Sequence, residues 1–500
     1  MGENNREIVL DMLLTLERDE AYSHRLMKAV LDKYDYMDGR DKAFLKRLAE
    51  GTLERRLELD YYLNHYSKIP VKKMRPLIRC LLRMSVYQLI YMDSVPDSAV
   101  CNEACKLASK RGFGSLKGFV NGILRAISRE KENLPLPDRY KEPVSYFSVK
   151  YSMPEWLVKL WMDEYGSDIT STLLGKLMEI HPVSLRFALK LSQEERAAIC
   201  AKMEETGIKL RQSMYLPWVY LATQPGHMGS VDTLPGFEEG MCTVQDVSSA
   251  LGVEAAGIRE GDFVIDVCAA PGGKSILARE HAVGDGQRLP GEKERLGLVL
   301  ARDVSEEKTA LIEENIRRMG ADHMKVEVFD ATGTDEALVG TADVVLLDVP
   351  CSGLGVMGKK RDIKYRITRK DMDSLPKLQR QIARASAGYL KPGGILVYST
   401  CTINSGENQE MVRFLTRELG LEPMPLSETL PDILMEQRKR LEADLDKAGK
   451  DSGFGLTKEE RAACIQLLPG YMESDGFFIA RFRSRQQGTD AQGEPKAFLN

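Results

Sequence analysis

One short stretch of the chain has the composition of a cofactor-binding turn. It runs from Asp266 to Lys274 (DVCAAPGGK), directly after the strand-like run FVI and before a helix predicted to begin near Ser275. A strand, a turn of small residues and a helix N-terminus together bring backbone N–H groups to a ligand at the carboxyl end of a sheet. The stretch matches neither GxGxxG nor GxxxxGK[ST], which excludes a dinucleotide fingerprint and a P-loop. We predict a nucleotide-cofactor loop, with a plain glycine turn as the alternative; its ligand-facing residues would be Cys268, Ala269, Ala270, Pro271, Gly272, Gly273 and Lys274.

An aspartate ends each of the three strand-like runs that follow. Asp303 ends LGLVLARD, Asp330 ends KVEVFD and Asp348 ends DVVLLD. An acid after the second strand can accept hydrogen bonds from ribose hydroxyls, and one after the third can accept from an adenine amino group. A single aspartate at a strand end is often only a helix N-cap. Three in series along one sheet predict a cofactor cleft.

The cysteines divide into structural and potentially reactive thiols. Nine is an odd number and their spacing does not fit a disulfide framework, so we expect reduced thiols. Cys101 and Cys105 lie in a helical segment with no second pair to complete a zinc site, which favours core packing and no metal site. Cys351 and Cys401 both follow strand-like runs, so we predict that they face the cleft. The alternative is two buried, inert thiols.

Composition narrows the class of protein. A chain of 500 residues, 43% hydrophobic and 29% charged, is typical of a globular protein with about three domains. No apolar run approaches the length of a membrane span, and the N-terminus lacks the pattern of a secretory signal, so we expect a cytoplasmic protein. The net charge of −4 argues against indiscriminate coating of nucleic acid. The densest basic run, between Lys359 and Lys370, favours a solvated loop when it is considered without context.

Periodicity predicts a multidomain protein with three folded parts. Residues 1–135 show helical spacing of apolar positions and predict an all-α bundle, and residues 145–240 predict a small α+β unit. Residues 241–485 alternate strand-like and helical runs, which predicts a mostly parallel, doubly wound α/β domain of Rossmann type. A proline-rich linker, ENLPLPDRYKEP, separates the first two parts. Residues 486–500 predict a disordered tail, and the segments 280–297 and 440–461 predict surface insertions without core-forming patterns.

The motifs of the catalytic half resemble a known family. The stretch 266–274, the sequence DVPCSG at 348–353 and YSTCT at 398–402 resemble the Sun-type (Fmu) RNA cytosine-C5 methyltransferases, whose motifs are DxCAAPGGK, DxPCSG and STCS. Lys391-Pro-Gly-Gly, Glu407-Asn408 and Asp475-Gly-Phe-Phe extend the match. The resemblance implies S-adenosyl-L-methionine as the cofactor.

The N-terminal bundle resembles the NusB-like RNA-binding fold, through RDKAFLKRLAEGTL, LIRCLLRMSVYQLIYMDSVP, NEACKLASK and FVNGILRAI. This layout is that of bacterial small-subunit rRNA methyltransferases. It implies small-subunit (16S) ribosomal RNA as the partner. The short apolar runs predict no membrane association, and we expect a monomer.

The implied reaction needs a nucleophilic group on the enzyme. Carbon 5 of cytosine is itself a poor nucleophile and cannot readily attack a methyl donor until the ring has been activated. A thiolate that adds to carbon 6 activates carbon 5 toward the methyl group, after which the carbon 5 proton and the thiol leave. The resemblance assigns attack to Cys401, release to Cys351 and interaction with N3 to Asp348. DNA cytosine-C5 methyltransferases instead use a Pro-Cys cysteine, which would nominate Cys351. In this context the basic run from Lys359 to Lys370 becomes an expected contact with RNA, whose unpaired bases are the usual targets.

Two functions of other classes remain as alternatives. One is a non-catalytic NusB-like RNA-binding or antitermination scaffold with a decayed methyltransferase domain. The other is a dehydrogenase that binds NAD on the same sheet, which the missing GxGxxG disfavours.

Overall fold

A computed structural model describes residues 4–18, 23–34, 36–223, 230–284 and 297–485. The chain forms two compact units: unit 1 contains Met1–Met178 and Lys359–Arg366, and unit 2 contains Glu179–Gly358 and Ile367–Asn500. The tail 486–500 and most of the insertion 280–297 lie outside the described residues. The finer division of the chain into three domains stays a prediction.

Unit 1 is built from helices, as the apolar periodicity predicted. Its buried core includes the periodic positions Ile8, Met12, Ile78, Leu81 and Leu89. Cys101 and Cys105 are buried on one helix and are 5% and 6% exposed. The helices are α1 (Asn5–Arg18), α2 (Ser23–Lys33), α3 (Gly39–Glu54), α4 (Arg56–Tyr66), α5 (Pro76–Tyr91), α6 (Asp97–Lys110), α7 (Lys117–Glu130), α8 (Pro143–Lys150), α9 (Glu155–Tyr165) and α10 (Ser167–Leu177).

The segment Lys359–Arg366 packs within unit 1 and corrects part of the expectation for the basic run. It contains a short helix, numbered α15 by its place in the chain (Ile363–Arg366). Lys364 is only 3% exposed, and Arg361 forms ion pairs with Glu50 and Glu54 of α3. The hydroxyl of Tyr365 donates a hydrogen bond to the Glu54 carbonyl. The expected RNA contact is therefore wrong for Lys364, because this lysine is buried, and Arg361 is engaged in ion pairs with α3.

The first sheet of unit 2 has four antiparallel strands in the order β2-β3-β1-β4. Its core combines Leu185 and Phe187 of the sheet with Ile199 and Met203 of α11. This helix begins directly after Ser192, because Ser192 and Glu195 form a capping box that provides hydrogen bonds for the backbone N–H groups at the helix start. The elements are β1 (Val183–Phe187), α11 (Gln193–Glu205), β2 (Leu210–Gln212), β3 (Val219–Ala222) and β4 (Cys242–Val244).

The second sheet of unit 2 has eight strands in the order β10-β12-β9-β8-β5-β6-β7, with β11 paired to β12. The pairs from β9 to β7 are parallel, and β12 joins β9 in antiparallel orientation. This agrees with the predicted mostly parallel sheet, and the parallel strands end at one edge. The strands are β5 (Phe263–Asp266), β6 (Leu298–Asp303), β7 (Met324–Val328), β8 (Ala342–Asp348), β9 (Leu390–Thr400), β10 (Glu422–Pro423), β11 (Cys464–Leu467) and β12 (Phe477–Arg483).

Helices pack beside this sheet, and one of them corrects the prediction for residues 440–461. That segment contributes to the core, because Leu441 and Leu445 of α18 are 5% and 2% exposed. These two leucines lie four residues apart and therefore on one face of the helix. The many charged residues between and around them made the segment read as a surface insertion. The helices are α12 (Val247–Glu254), α13 (Gly273–Val283), α14 (Glu306–Met319), α16 (Arg369–Ala387), α17 (Gln409–Arg417), α18 (Asp432–Lys447) and α19 (Lys458–Ala462). Among the described residues, no helix has the length and apolar character to cross a membrane.

Candidate active site

The predicted cofactor loop connects the end of β5 to the start of α13. Gly272 has φ +101°, a conformation that favours glycine, and a Cβ there would lie 3.1 Å from the side chain of Ile312. A Cβ on Gly273 would meet Gln245 at 3.5 Å. Gly272 therefore lets the turn lie against α14, whereas a side chain at position 273 would make only an ordinary contact with Gln245.

Asp266 carries the buried carboxylate at the base of this loop. Its Oδ2 accepts a 2.6 Å hydrogen bond from the Ser275 hydroxyl, and its Oδ1 is buried with no hydrogen-bond partner among the described residues. Burial raises the pKa of Asp266 to about 6, against the opposing effect of the Ser275 hydrogen bond. A buried acceptor without a partner needs a donor, and a cofactor with amino or hydroxyl groups can supply one.

Asp303 ties the end of β6 to the same loop. Its Oδ2 accepts from the backbone N–H of Ala270 at 3.0 Å, and its Oδ1 accepts from the Val304 N–H at 2.8 Å. Lys308 Nζ lies 2.9 Å from Oδ1. Asp303 is 5% exposed, so its carboxylate is held at the cleft rather than in bulk solvent.

Asp330 lies just beyond β7 and differs from Asp303 in its surroundings. It is exposed and accepts hydrogen bonds from the N–H and the hydroxyl of Thr332. These hydrogen bonds lower the pKa of Asp330. The structure thus brings Asp303 directly to the cofactor loop, whereas Asp330 contacts Thr332 at the next strand end.

The two candidate reactive cysteines lie side by side. Cys351 follows β8 and Cys401 follows β9, and their Sγ atoms are 3.3 Å apart. The parallel register pairs Asp348 with Ser399, which aligns the ends of the two strands. Both thiols are partly exposed, unlike the buried thiols of unit 1. One substrate atom could therefore be reached from either sulfur.

Asp348 is fixed between two neighbours at the end of β8. Lys274 Nζ lies 2.7 Å from Asp348 Oδ2, and the Ser399 hydroxyl donates to Oδ1 at 2.7 Å. Burial lowers the pKa of Lys274, but the negative charge of Asp348 outweighs it and the pKa is raised overall. Lys274 therefore remains an ammonium group in the cleft. Sequence reasoning assigned Lys274 to the cofactor loop and did not foresee its pairing with Asp348.

The thiols in the cleft differ in their ease of ionisation. The hydrogen bond with Cys401, burial and the nearby Glu407 all raise the pKa of Cys351 well above its ordinary value. The Cys401 sulfur contributes to the electrostatic stabilisation of the Lys274 ammonium. Burial, with help from Asp266 and Asp303, also raises the pKa of Cys268, so this thiol of the cofactor loop stays protonated. Cys351 and Cys268 are thus held as neutral thiols, and the positive charge of Lys274 acts on Cys401.

A buried carboxylate, Glu407, joins the two cysteine loops. It is 0% exposed and accepts hydrogen bonds from the N–H and the hydroxyl of Ser352, from Gln379 Nε2 and from Asn404 Nδ2. The Ser352 hydroxyl is also 2.7 Å from the Thr402 hydroxyl. Ser352 follows Cys351 and Thr402 follows Cys401, so one network holds both loops. The sequence motif contained Glu407, but only the fold brings its partners together.

Comparisons with known proteins agree with this fold and site. A family model described as 16S rRNA methyltransferase RsmB/F matches residues 255–483, and the NusB family model matches residues 3–129. A probable ribosomal RNA small subunit methyltransferase B of Bacillus subtilis is 33% identical over 96% of this chain and 98% of its own. Ribosomal RNA small subunit methyltransferase B of Klebsiella pneumoniae is 30% identical over 89% of this chain and 91% of its own.

Solved structures share the fold. The crystal structure of PH0851 superposes with a TM-score of 0.71 at 22% identity and covers 96% of this chain and 99% of its own. NSun6 from Pyrococcus horikoshii with SFG gives a TM-score of 0.51 at 21% identity and covers 66% of this chain and 98% of its own.

The fold and the site define an S-adenosylmethionine-dependent RNA methyltransferase with an N-terminal NusB domain. Two features fit the cofactor, namely the tight glycine turn that connects β5 to the N-terminus of α13 and the unpartnered Asp266 Oδ1. The chain belongs to the ribosomal RNA small subunit methyltransferase B family. Membership in this family argues against both alternative functions, the NAD-binding dehydrogenase and the non-catalytic RNA-binding scaffold.

Proposed function

We propose that this protein methylates carbon 5 of a cytosine in 16S rRNA, with Cys401 as the covalent nucleophile. The observation that carries the proposal is the 3.3 Å separation of the Cys351 and Cys401 sulfurs at the ends of two adjacent parallel strands. Methylation of an exocyclic amine or a ribose hydroxyl needs no thiol, because these atoms already carry lone pairs. Two thiols in one methyltransferase cleft therefore favour a carbon target.

Thiolate addition is the step that makes carbon 5 reactive. Addition of the sulfur to carbon 6 removes the aromaticity of the cytosine ring and moves electron density to carbon 5 and N3. S-adenosylmethionine, when bound, supplies an electrophilic methyl group to carbon 5. Removal of the carbon 5 proton then expels the sulfur and restores the ring.

Electrostatics support Cys401 rather than Cys351 as the attacking sulfur. The pKa of Cys351 is raised well above its ordinary value, so this thiol keeps its proton. A protonated Cys351 can donate a hydrogen bond to the Cys401 sulfur, which lies within reach. The Lys274 ammonium stabilises negative charge on the same sulfur. A stabilised thiolate is the nucleophilic form of cysteine.

Asp348 and Cys351 complete the proposed catalytic group. Thiolate addition makes N3 of the base more basic, so that N3 takes up a proton from solvent and its N–H donates a hydrogen bond to the Asp348 carboxylate. The two oxygens of Asp348 are oriented by Lys274 and Ser399. Cys351, with its proton retained, assists the release of the methylated base from Cys401. The close contact between the two sulfurs supports this division of roles.

The cofactor would lie along the ends of β5, β6 and β7. Asp303 would accept from the ribose hydroxyls, and its buried position next to the loop supports that role. Asp330 would accept from the adenine amino group at the next strand end. The turn from Cys268 to Lys274 would line the other side of the ligand.

The experiment is nucleoside mass spectrometry on a 16S rRNA transcript incubated with the purified protein and labelled S-adenosylmethionine. We expect the label in 5-methylcytidine at one nucleotide. Label in another nucleoside would contradict the proposed reaction. A parallel incubation with a 23S rRNA transcript tests the substrate, and label in 5-methylcytidine of that transcript alone would contradict 16S rRNA as the substrate. A Cys401→Ala protein is the control for contaminating activity.

A further inference from the structure

We propose that the turn between α4 and α5 of unit 1 forms a surface that binds the RNA phosphate backbone; this rests on the proposed function. Residues 61–92 contain six lysines and arginines and not one aspartate or glutamate, in a chain whose net charge is −4. The turn between the helices, defined here as Ser67–Arg75, carries Lys68, Lys72, Lys73 and Arg75. We call these four residues the α4–α5 basic surface.

The four side chains of the α4–α5 basic surface are all exposed. Within the part of unit 1 that the structure describes, none of them has an ion-pair or hydrogen-bond partner. The other two cations of this region differ, because Arg79 pairs with Glu17 and Arg83 pairs with Asp60. The fold therefore neutralises Arg79 and Arg83 with carboxylates. Within the described part of unit 1 it provides no such counter-charge for the α4–α5 basic surface.

The turn that carries these charges is held in place by buried side chains and by hydrogen bonds. Val71 and Met74 are buried anchors, and the Val71 N–H donates to Asn64 Oδ1 at 2.8 Å. Arg79 Nη1 donates to the carbonyls of Val71 and Met74 at 3.4 and 3.2 Å. Binding to a preorganised surface avoids the entropy of ordering a loop.

The position of the charges is not explained by the stability of the helix. Lys72, Lys73 and Arg75 precede α5 at Pro76, and a helix favours anions rather than cations near its N-terminus. Next to them is an open concavity lined by Asn64, Ser67 and Lys68, among others, and by Asp60, whose carboxylate is neutralised by Arg83. Fixed cations around polar hydrogen-bonding groups in a concave surface suit a phosphate chain.

RNA is the partner that the chemistry of this protein favours. The proposed substrate is an RNA far larger than the one base that enters the active site. Backbone contacts position such a substrate without reading its sequence. The basic run from Lys359 to Lys370 cannot supply all of that charge, since Lys364 is buried and Arg361 is paired with Glu50 and Glu54.

The test compares two full-length variants that lose the same charge. The first is Lys68→Ala/Lys72→Ala/Lys73→Ala. The control is Lys439→Ala/Arg440→Ala/Lys458→Ala, which removes three exposed cations of unit 2. Binding of a 16S rRNA transcript is measured by filter retention between 50 and 300 mM salt, about the range over which phosphate contacts weaken, without S-adenosylmethionine.

We expect the first variant to lose affinity by about tenfold or more at roughly 0.1 M salt, and its salt slope to fall by about 2, since each single-strand contact contributes about 0.7. With methylation as the readout, KM should rise and kcat should stay unchanged. Equal losses in both variants, or no loss in the first, would overturn the inference. So would a loss of binding to phosphatidylserine vesicles with RNA binding intact, which would indicate a membrane surface. RNA binding that depends on these lysines without any 5-methylcytidine would refute the proposed function alone.

Discussion

The sulfur of Cys351 lies 3.3 Å from the sulfur of Cys401, although the two residues are fifty positions apart in the chain. The separation follows from the parallel pairing of β8 with β9, because the residues after two aligned strand ends meet at the same edge of the sheet. Proximity alone does not assign the nucleophile. The proposed assignment of Cys401 as the nucleophile is supported by the raised pKa of Cys351, which keeps that group a thiol, and by the positive charge of Lys274, which acts on Cys401.

Replacement of Asp303 should weaken cofactor binding. Asp303→Ala removes an acceptor that would hold the ribose hydroxyls and also frees the Ala270 N–H of the loop. Hydrogen bonds to charged groups are worth about 1.5–3 kcal/mol, so affinity for S-adenosylmethionine should fall about tenfold or more by calorimetry. Lys308→Ala is the matched control, because it removes only the ion pair of Asp303. An unchanged affinity in Asp303→Ala would remove this residue from the cofactor site.

Replacement of Glu407 should loosen both cysteine loops. Each carboxylate oxygen of Glu407 accepts two hydrogen bonds, so the amide group of Glu407→Gln would face buried donors and leave at least one without an acceptor. The cost should be about 1–3 kcal/mol in the free energy of unfolding. Single-turnover methylation should slow, while affinity for S-adenosylmethionine should stay the same.

The control for this variant is Glu410→Gln, which alters an exposed carboxylate three residues further along, in α17, that pairs with Arg413. Surface ion pairs contribute little, so we expect a change below about 1 kcal/mol. If Glu407→Gln unfolds at the same denaturant concentration as the original protein and retains its single-turnover rate, Glu407 does not hold the loops.

Burial of Lys364 should make the stability of unit 1 depend on pH. Burial lowers the pKa of Lys364 from 10.5 to about 7, with Arg55 acting in the same direction and Glu54 opposing. Between these two values the unfolded chain binds a proton that the folded chain has released, so stability rises with pH across this window. Lys364→Met removes the cost of burying this charge. It should therefore raise the free energy of unfolding, and most strongly below pH 7.

We would measure urea unfolding of the original protein and of Lys364→Met between pH 6 and 9.5, a window that follows from this pKa. The quantity compared is the difference in their free energies of unfolding. The advantage of Lys364→Met should shrink with rising pH by at most about 1.4 kcal/mol per unit. The exposed neighbour Lys360 provides the control, and Lys360→Met should show no such trend. A constant difference across the range would mean that Lys364 stays charged in the folded protein.

Local patterns were enough to predict the elements that build the active site. The predicted cofactor turn from Asp266 to Lys274 connects β5 to α13 as expected. Asp303 and Asp348 end strands of one sheet, and Cys351 and Cys401 follow strands of the same sheet. Alternation of strand and helix specifies such a sheet, and a parallel sheet necessarily collects its carboxyl ends at one edge.

Features that depend on long-range packing could not be predicted in this way. The pairing of Lys274 with Asp348 joins residues 74 positions apart, and nothing in the local sequence of Lys274 separates this contact from a direct role in cofactor binding. The burial of Lys364 depends on α3 and α4, which are more than 300 positions away, and charge is normally a signal of exposure. Leu441 and Leu445 were overlooked because charged residues surround them.

The central claim is that Cys401 attacks the base and Cys351 assists its release. The most direct measurement is denaturing gel electrophoresis of radiolabelled 16S rRNA incubated with S-adenosylmethionine and each single variant. Cys351→Ala should accumulate a slowly migrating covalent protein–RNA complex, because attack and transfer remain possible while release is impaired. Cys401→Ala should form no complex and no 5-methylcytidine, because the nucleophile is absent. A complex with Cys401→Ala and none with Cys351→Ala would contradict the account and identify the Pro-Cys cysteine as the nucleophile.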